Sequence, residues 1–67
     1  MPSTVIRTHL YDAGERKLAI EFTTGRRYLY HDVPPQEYER FRSAFSKGRY
    51  FNAHIRDNYG YTELEPA

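Results

Sequence analysis

From Lys17 to Phe22 apolar and polar residues alternate: Leu18, Ile20 and Phe22 fall on one face, Lys17, Ala19 and Glu21 on the other. That is the period of a half-buried strand. Thr4 to Tyr11 is rich in β-branched and aromatic residues and reads as a preceding strand, with a bulge or a late twist expected where alternation breaks at His9-Leu10. Asp12-Ala-Gly-Glu-Arg16 is the turn between them, and Gly14 is its natural positive-φ position. After Phe22, a three-residue Thr23-Thr24-Gly25 loop with a left-handed Gly25 sets Ile20 opposite Tyr28 and Leu18 opposite Tyr30. A two-residue loop would reverse the parity and turn both tyrosines outward. The longer loop is preferred because it buries two aromatic rings. On the core face Tyr28 and Tyr30 are packing residues, whereas on an open face they would form a stacking platform for bases.

His31-Asp-Val-Pro-Pro35 ends the sheet, since neither proline donates to a ladder. The period then changes. Tyr38, Phe41 and Phe45 recur at helical spacing within Gln36 to Phe45, and Pro35 suits the first turn. After a break near Ser46, a second short helix runs from Lys47 or Gly48 to about Arg56, ended by Asn58 or Gly60. The expected fold is α+β: a three-stranded antiparallel β-meander followed by two short α-helices packed on one face. Met1 to Ser3 is expected to fray, and Tyr59, Tyr61 or Leu64 to pin part of the tail.

At 67 residues this is one domain, of a size that buries only about 60% of its unfolded surface. Eleven aromatic residues, seven Tyr and four Phe, must supply much of the core. Without cysteine there is neither disulfide nor thiolate metal site, and no segment approaches the apolar length of a membrane span. A cytoplasmic monomer is expected. Net charge is +1, unevenly spread: residues 26–56 hold seven basic and three acidic side chains, and residues 57–67 hold three acidic and none basic. A basic surface on the middle segment follows, which the acidic tail either avoids or competes for.

That surface centres on the second helix. Phe51 and Ile55 fall on one side with Gly48, and Arg49, Asn52 and Arg56 on the other. Ser46 is the N-cap, but Arg49 stands where a capping-box Glu would, so the first backbone N–H groups beside Lys47 are expected to stay open to an anion. Lys47, Arg49 and Arg56 are candidate phosphate contacts and Asn52 a polar one. Tyr50 or His54 is placed to stack on a base, and Arg26 and Arg27 at the hairpin tip to extend the patch. An ordinary solvated helix face has the same composition. Nothing specifies an enzyme, a cofactor or a metal: His9, His31 and His54 sit on separate elements without ligand spacing.

Tyr11-Asp12, Phe22, Gly25, Tyr28-Leu29-Tyr30, Val33-Pro34, Tyr38 and the stretch from Ser46 to Arg56 together resemble a KTSC domain, over about residues 4–61. That family is a module at the C-terminus of some lysyl-tRNA synthetases and also occurs as small stand-alone bacterial proteins. His9-Leu10 departs from it, since a small apolar residue, often Gly, is usual before Tyr-Asp. The resemblance brings no catalytic residues and implies an RNA-binding role only through the attached enzyme. Two readings stand at this point: a module binding tRNA-like or single-stranded RNA, and a protein-interaction module using the sheet face opposite the helices, with Ala19 and Leu29, or an edge strand.

Overall fold

The computed structural model describes residues 6–65; the expected fraying of Met1 to Ser3 and the Thr4-Val5 start of the first strand lie outside the described residues. Strands β1 (Ile6–Asp12), β2 (Lys17–Phe22) and β3 (Arg27–Tyr30) form the meander. Helix α1 (Pro35–Ser43) follows, then α2 (Lys47–Tyr50), which runs on into a π-helical turn (Phe51–Ile55). The chain then returns to the sheet as β4 (Tyr61–Leu64). The sheet is antiparallel in the order β1-β2-β3-β4.

The fold is α+β with four strands, where three were expected. Tyr61-Thr-Glu-Leu64 is too short and too polar to show a strand period. It becomes a strand because β3 offers a free edge: Tyr30 pairs with Tyr61 and Arg27 with Leu64, and the His31 N–H donates to the Gly60 carbonyl at 2.9 Å.

The second hairpin takes the expected register. Leu18 faces Tyr30 and Ile20 faces Tyr28, and the Phe22 N–H donates to the Arg26 carbonyl at 2.9 Å to close a loop in which Gly25 has φ 93°. Tyr30 is buried and Tyr28 half-buried against the core, so this pair packs. Two local expectations are corrected. The bulge lies at Arg7, between Ile6 and Thr8, and not at His9-Leu10. With this extra residue Ile6, His9 and Tyr11 all oppose core-facing residues of β2, while Leu10 turns outward, 75% exposed. In the first turn Arg16, not Gly14, takes the left-handed conformation, at φ 56°. Its carbonyl accepts the N–H of the fully buried Val33 at 2.9 Å, and the Val33 carbonyl accepts the Tyr11 hydroxyl at 2.6 Å.

Both helical segments cover one face. Leu18, Ile20, Phe22 and Tyr30 from the sheet, Val33 from the connection, Phe41 from α1, and Phe51 and Ile55 from the π turn make a single core. Tyr38 of α1 lies flat on Tyr11, with ring centroids 4.4 Å apart. Phe45, expected on the apolar face of α1, is instead fully exposed. The helix ends at Ser43 because Ala44 is extended (φ −66°, ψ 143°), and the chain swings Phe45 away from the sheet.

Candidate nucleic-acid interface

The start of α2 is capped by Ser46 at one donor. Ser46 is extended (φ −122°, ψ 107°), and its hydroxyl accepts the Arg49 N–H at 3.3 Å. The expected open phosphate cradle thus loses the Arg49 donor, and its side chains carry more of the task of holding an anion here. After one regular turn the helix widens: the Arg56 N–H donates to the Phe51 carbonyl at 2.8 Å, an i→i+5 bond. Phe51 and Ile55 are buried as the spacing predicts. Asn58 ends the segment, donating its side-chain amide to the His54 carbonyl at 2.7 Å and its backbone N–H to the Ile55 carbonyl at 3.1 Å.

The wider turn separates residues that a regular helix would align. Arg49, Tyr50 and His54 line one open concavity of about 360 Å³, shared with Phe45, Ala44 and Ala53. The Tyr50 and His54 rings pack at 4.4 Å with an interplanar angle of 32°. Arg56, also exposed, lies on the β3 side, where its charge acts on the Tyr30 phenol. Burial dominates there and pushes Tyr30 up to about 12. Lys47 lies toward β1, where it and Arg42 add to burial in lowering His9 below the usual imidazole value. Asn52 is half-buried.

The hairpin-tip arginines are engaged elsewhere. Arg26 donates to the Tyr28 hydroxyl at 3.2 Å and lies 4.0 Å from Glu63, and Arg27 donates to the Glu65 carbonyl at 3.0 Å. Within the acidic tail, Glu63 and the Glu65 carbonyl therefore meet Arg26 and Arg27. Among the described residues, ion pairs join Arg7 to Glu21, Arg26 to Glu63 and Arg42 to Glu39, and none involves Lys47, Arg49 or Arg56.

Two participants lie outside what the sequence suggests. Phe45, at helical spacing from Phe41, is expected in the core of α1. The signal against that is Ser46, since an N-cap at 46 requires the preceding helix to have ended. The other is Glu37, whose carboxylate accepts the Tyr50 hydroxyl through one oxygen and the Tyr59 hydroxyl, at 3.1 Å, through the other. Burial first, then this bond to Glu37, pushes the Tyr50 phenol up to about 12. Tyr59 is raised for the same reasons in the same order. Among the described residues no group of three His, Asp or Glu side chains is placed to hold a metal, and no helix is long and apolar enough to cross a membrane.

The KTSC domain family model matches residues 2–59, most of the chain. The chain belongs to the KTSC domain family. The crystal structure of a KTSC domain protein from Yersinia pestis is 32% identical, with a TM-score of 0.88 over 97% of this chain and 92% of that one. A small protein of Tsukamurella paurometabola is 37% identical over 57 residues, 85% of each chain. A KTSC-like segment also lies within a lysine–tRNA ligase of Nostoc punctiforme, 36% identical over 61 residues, which cover 91% of this chain and 11% of that protein. This KTSC domain thus spans about a tenth of the ligase's length. The family match stops just short of β4, at residue 59.

Proposed function

We propose that this KTSC domain is an RNA-binding module that acts by binding and not by catalysis, with Lys47, Arg49 and Arg56 as its phosphate contacts. The observation that carries this reading is that none of these cations takes part in an ion pair among the described residues, while the carboxylates of α1 are engaged elsewhere. Glu37 is taken by two tyrosines and Glu39 by Arg42. Lys47, Arg49 and Arg56 thus stay available to an outside anion, although Asp57 follows Arg56 directly and offsets part of its charge. The match within a lysine–tRNA ligase supports RNA as that anion. Arg26 and Arg27 contribute less, because β4 and the residue after it already engage them.

Fluorescence anisotropy of labelled tRNA and a short single-stranded RNA tests this. Three phosphates neutralised on a single strand give a salt slope of about −2, so affinity falls roughly 20-fold between about 50 and 200 mM salt. No binding of either RNA at the lower salt would refute the proposal.

A second reading rests on the sheet face away from the helices. Leu10 stands exposed there beside Ala19, Leu29 and Leu64, over a shallow groove of about 270 Å³ that Glu21 and Arg27 also line. Such a face suits a protein partner, and its binding would depend little on salt.

A further inference from the structure

Phe45 runs against the rest of this chain. A small domain that builds its core from aromatic rings has left one in water, at 107% of its reference exposure. The residue does not hang alone. It shares a concavity with the Tyr50–His54 ring pair, lined also by Ala44, Ala53 and Arg49. Tyr50 cannot swing freely, because its hydroxyl is held by Glu37 on the neighbouring helix. His54 is exposed, so this tilted ring pair can be reached from solvent.

We propose that Phe45, Tyr50 and His54 form a stacking subsite for one unpaired nucleobase, with Arg49 holding the adjoining phosphate. This rests on the RNA reading above and adds to it the part of the ligand that is not phosphate. Planar π surface next to an unpaired guanidinium is the combination single-stranded nucleic acids require, since every base has a π face and every linkage a charge. The volume of about 360 Å³ is of the size that holds a small planar ligand. A duplex keeps its bases stacked on one another and cannot use the site.

The test compares a short oligouridylate with an abasic ribose-phosphate oligomer of equal length and charge, against the wild type and Phe45→Ala. Phe45 is solvent-exposed, so the substitution leaves the fold intact. The wild type is expected to bind the oligouridylate about 5- to 100-fold more tightly than the abasic oligomer. Phe45→Ala is expected to erase that difference while leaving the salt slope unchanged. Because the chain has no tryptophan, Phe45→Trp supplies a single reporter whose emission is quenched when a base stacks on it. Equal affinity for the two oligomers, or an indole emission from the Phe45→Trp variant that is indifferent to RNA, overturns the base subsite and leaves the phosphate reading standing. Absence of binding by both oligomers overturns the two together and directs attention to a protein partner.

Discussion

Tyr50, on α2, donates its phenolic hydrogen to Glu37, on α1, and so ties the two helical segments together across the break at Ser46. The same carboxylate takes Tyr59, just before β4, through its second oxygen. One acidic side chain therefore joins α1, α2 and the return to the sheet. Glu37→Ala leaves two half-buried hydroxyls without their acceptor and is expected to destabilise the fold by about 1–3 kcal/mol in urea denaturation. Its effect on RNA binding has a diagnostic sign. Removing an anion beside a basic surface raises affinity if charge is all that matters. If Glu37 instead positions the Tyr50 ring, affinity falls with the salt slope unchanged.

Gly25 and Gly14 are expected to respond differently to alanine. Gly25 has φ 93° with open space around its Cα, so alanine there incurs only the left-handed backbone penalty, about 1–2 kcal/mol. Gly14 is not in that region, and a Cβ would meet only Asp12 Oδ1 at 3.4 Å, an ordinary contact. Gly14→Ala should therefore be close to neutral in thermal or urea melts. Gly25→Asn should recover part of what Gly25→Ala loses.

Stability is expected to fall in mild acid partly through His9. Its ring packs edge-on against Phe41 at 5.1 Å and lies 3.3 Å from the Tyr38 hydroxyl. Burial, then Lys47 and Arg42, lower its proton affinity. The unfolded chain, near the usual value of about 6.5, thus binds the proton more readily than the fold does. This contribution is fully present above about pH 6.5 and is lost as pH drops from there through the lowered folded value. Urea unfolding at about pH 7.5 and about pH 5 should show a smaller acid loss for His9→Gln than for the wild type, the difference isolating His9 from His31 and His54.

How much of this was legible in the sequence depended on where side-chain period and turn chemistry acted alone. The β2–β3 hairpin followed from Gly25 and the parity of Leu18, Ile20, Tyr28 and Tyr30, because those residues have only one way to share a face. Phe51 and Ile55 followed for the same reason. β4 did not, since Tyr61 to Leu64 is made a strand by the edge of β3 and not by its own residues. Arg7 was hidden as a bulge because one extra residue can be absorbed anywhere before His9. The candidate site was less visible: helical spacing groups Arg49 with Asn52 and Arg56, whereas Arg49 shares its concavity with Tyr50 and His54. The π turn that sends Arg56 toward β3 has no sequence period of its own. Phe45 was misplaced because helical spacing continued past the point at which Ser46 had already begun the next helix.

The outward-facing Leu10 also separates the two functional readings. It lies on the sheet face away from the helices, so Leu10→Lys should leave RNA affinity unchanged or slightly raised. Lost RNA binding in that variant, with its melt unaltered, would move the interface to the sheet.

The most direct measurement is the salt dependence of single-stranded RNA affinity in the wild type and in Arg49→Ala/Arg56→Ala, with folding of both checked by circular dichroism. If these side chains hold phosphates, the double variant binds more weakly, and its log–log slope is shallower by about 1.4, two phosphate contacts at about 0.7 each. A folded double variant that binds RNA with the wild-type affinity and slope would contradict the assignment of the interface to the α2 and π-turn segment.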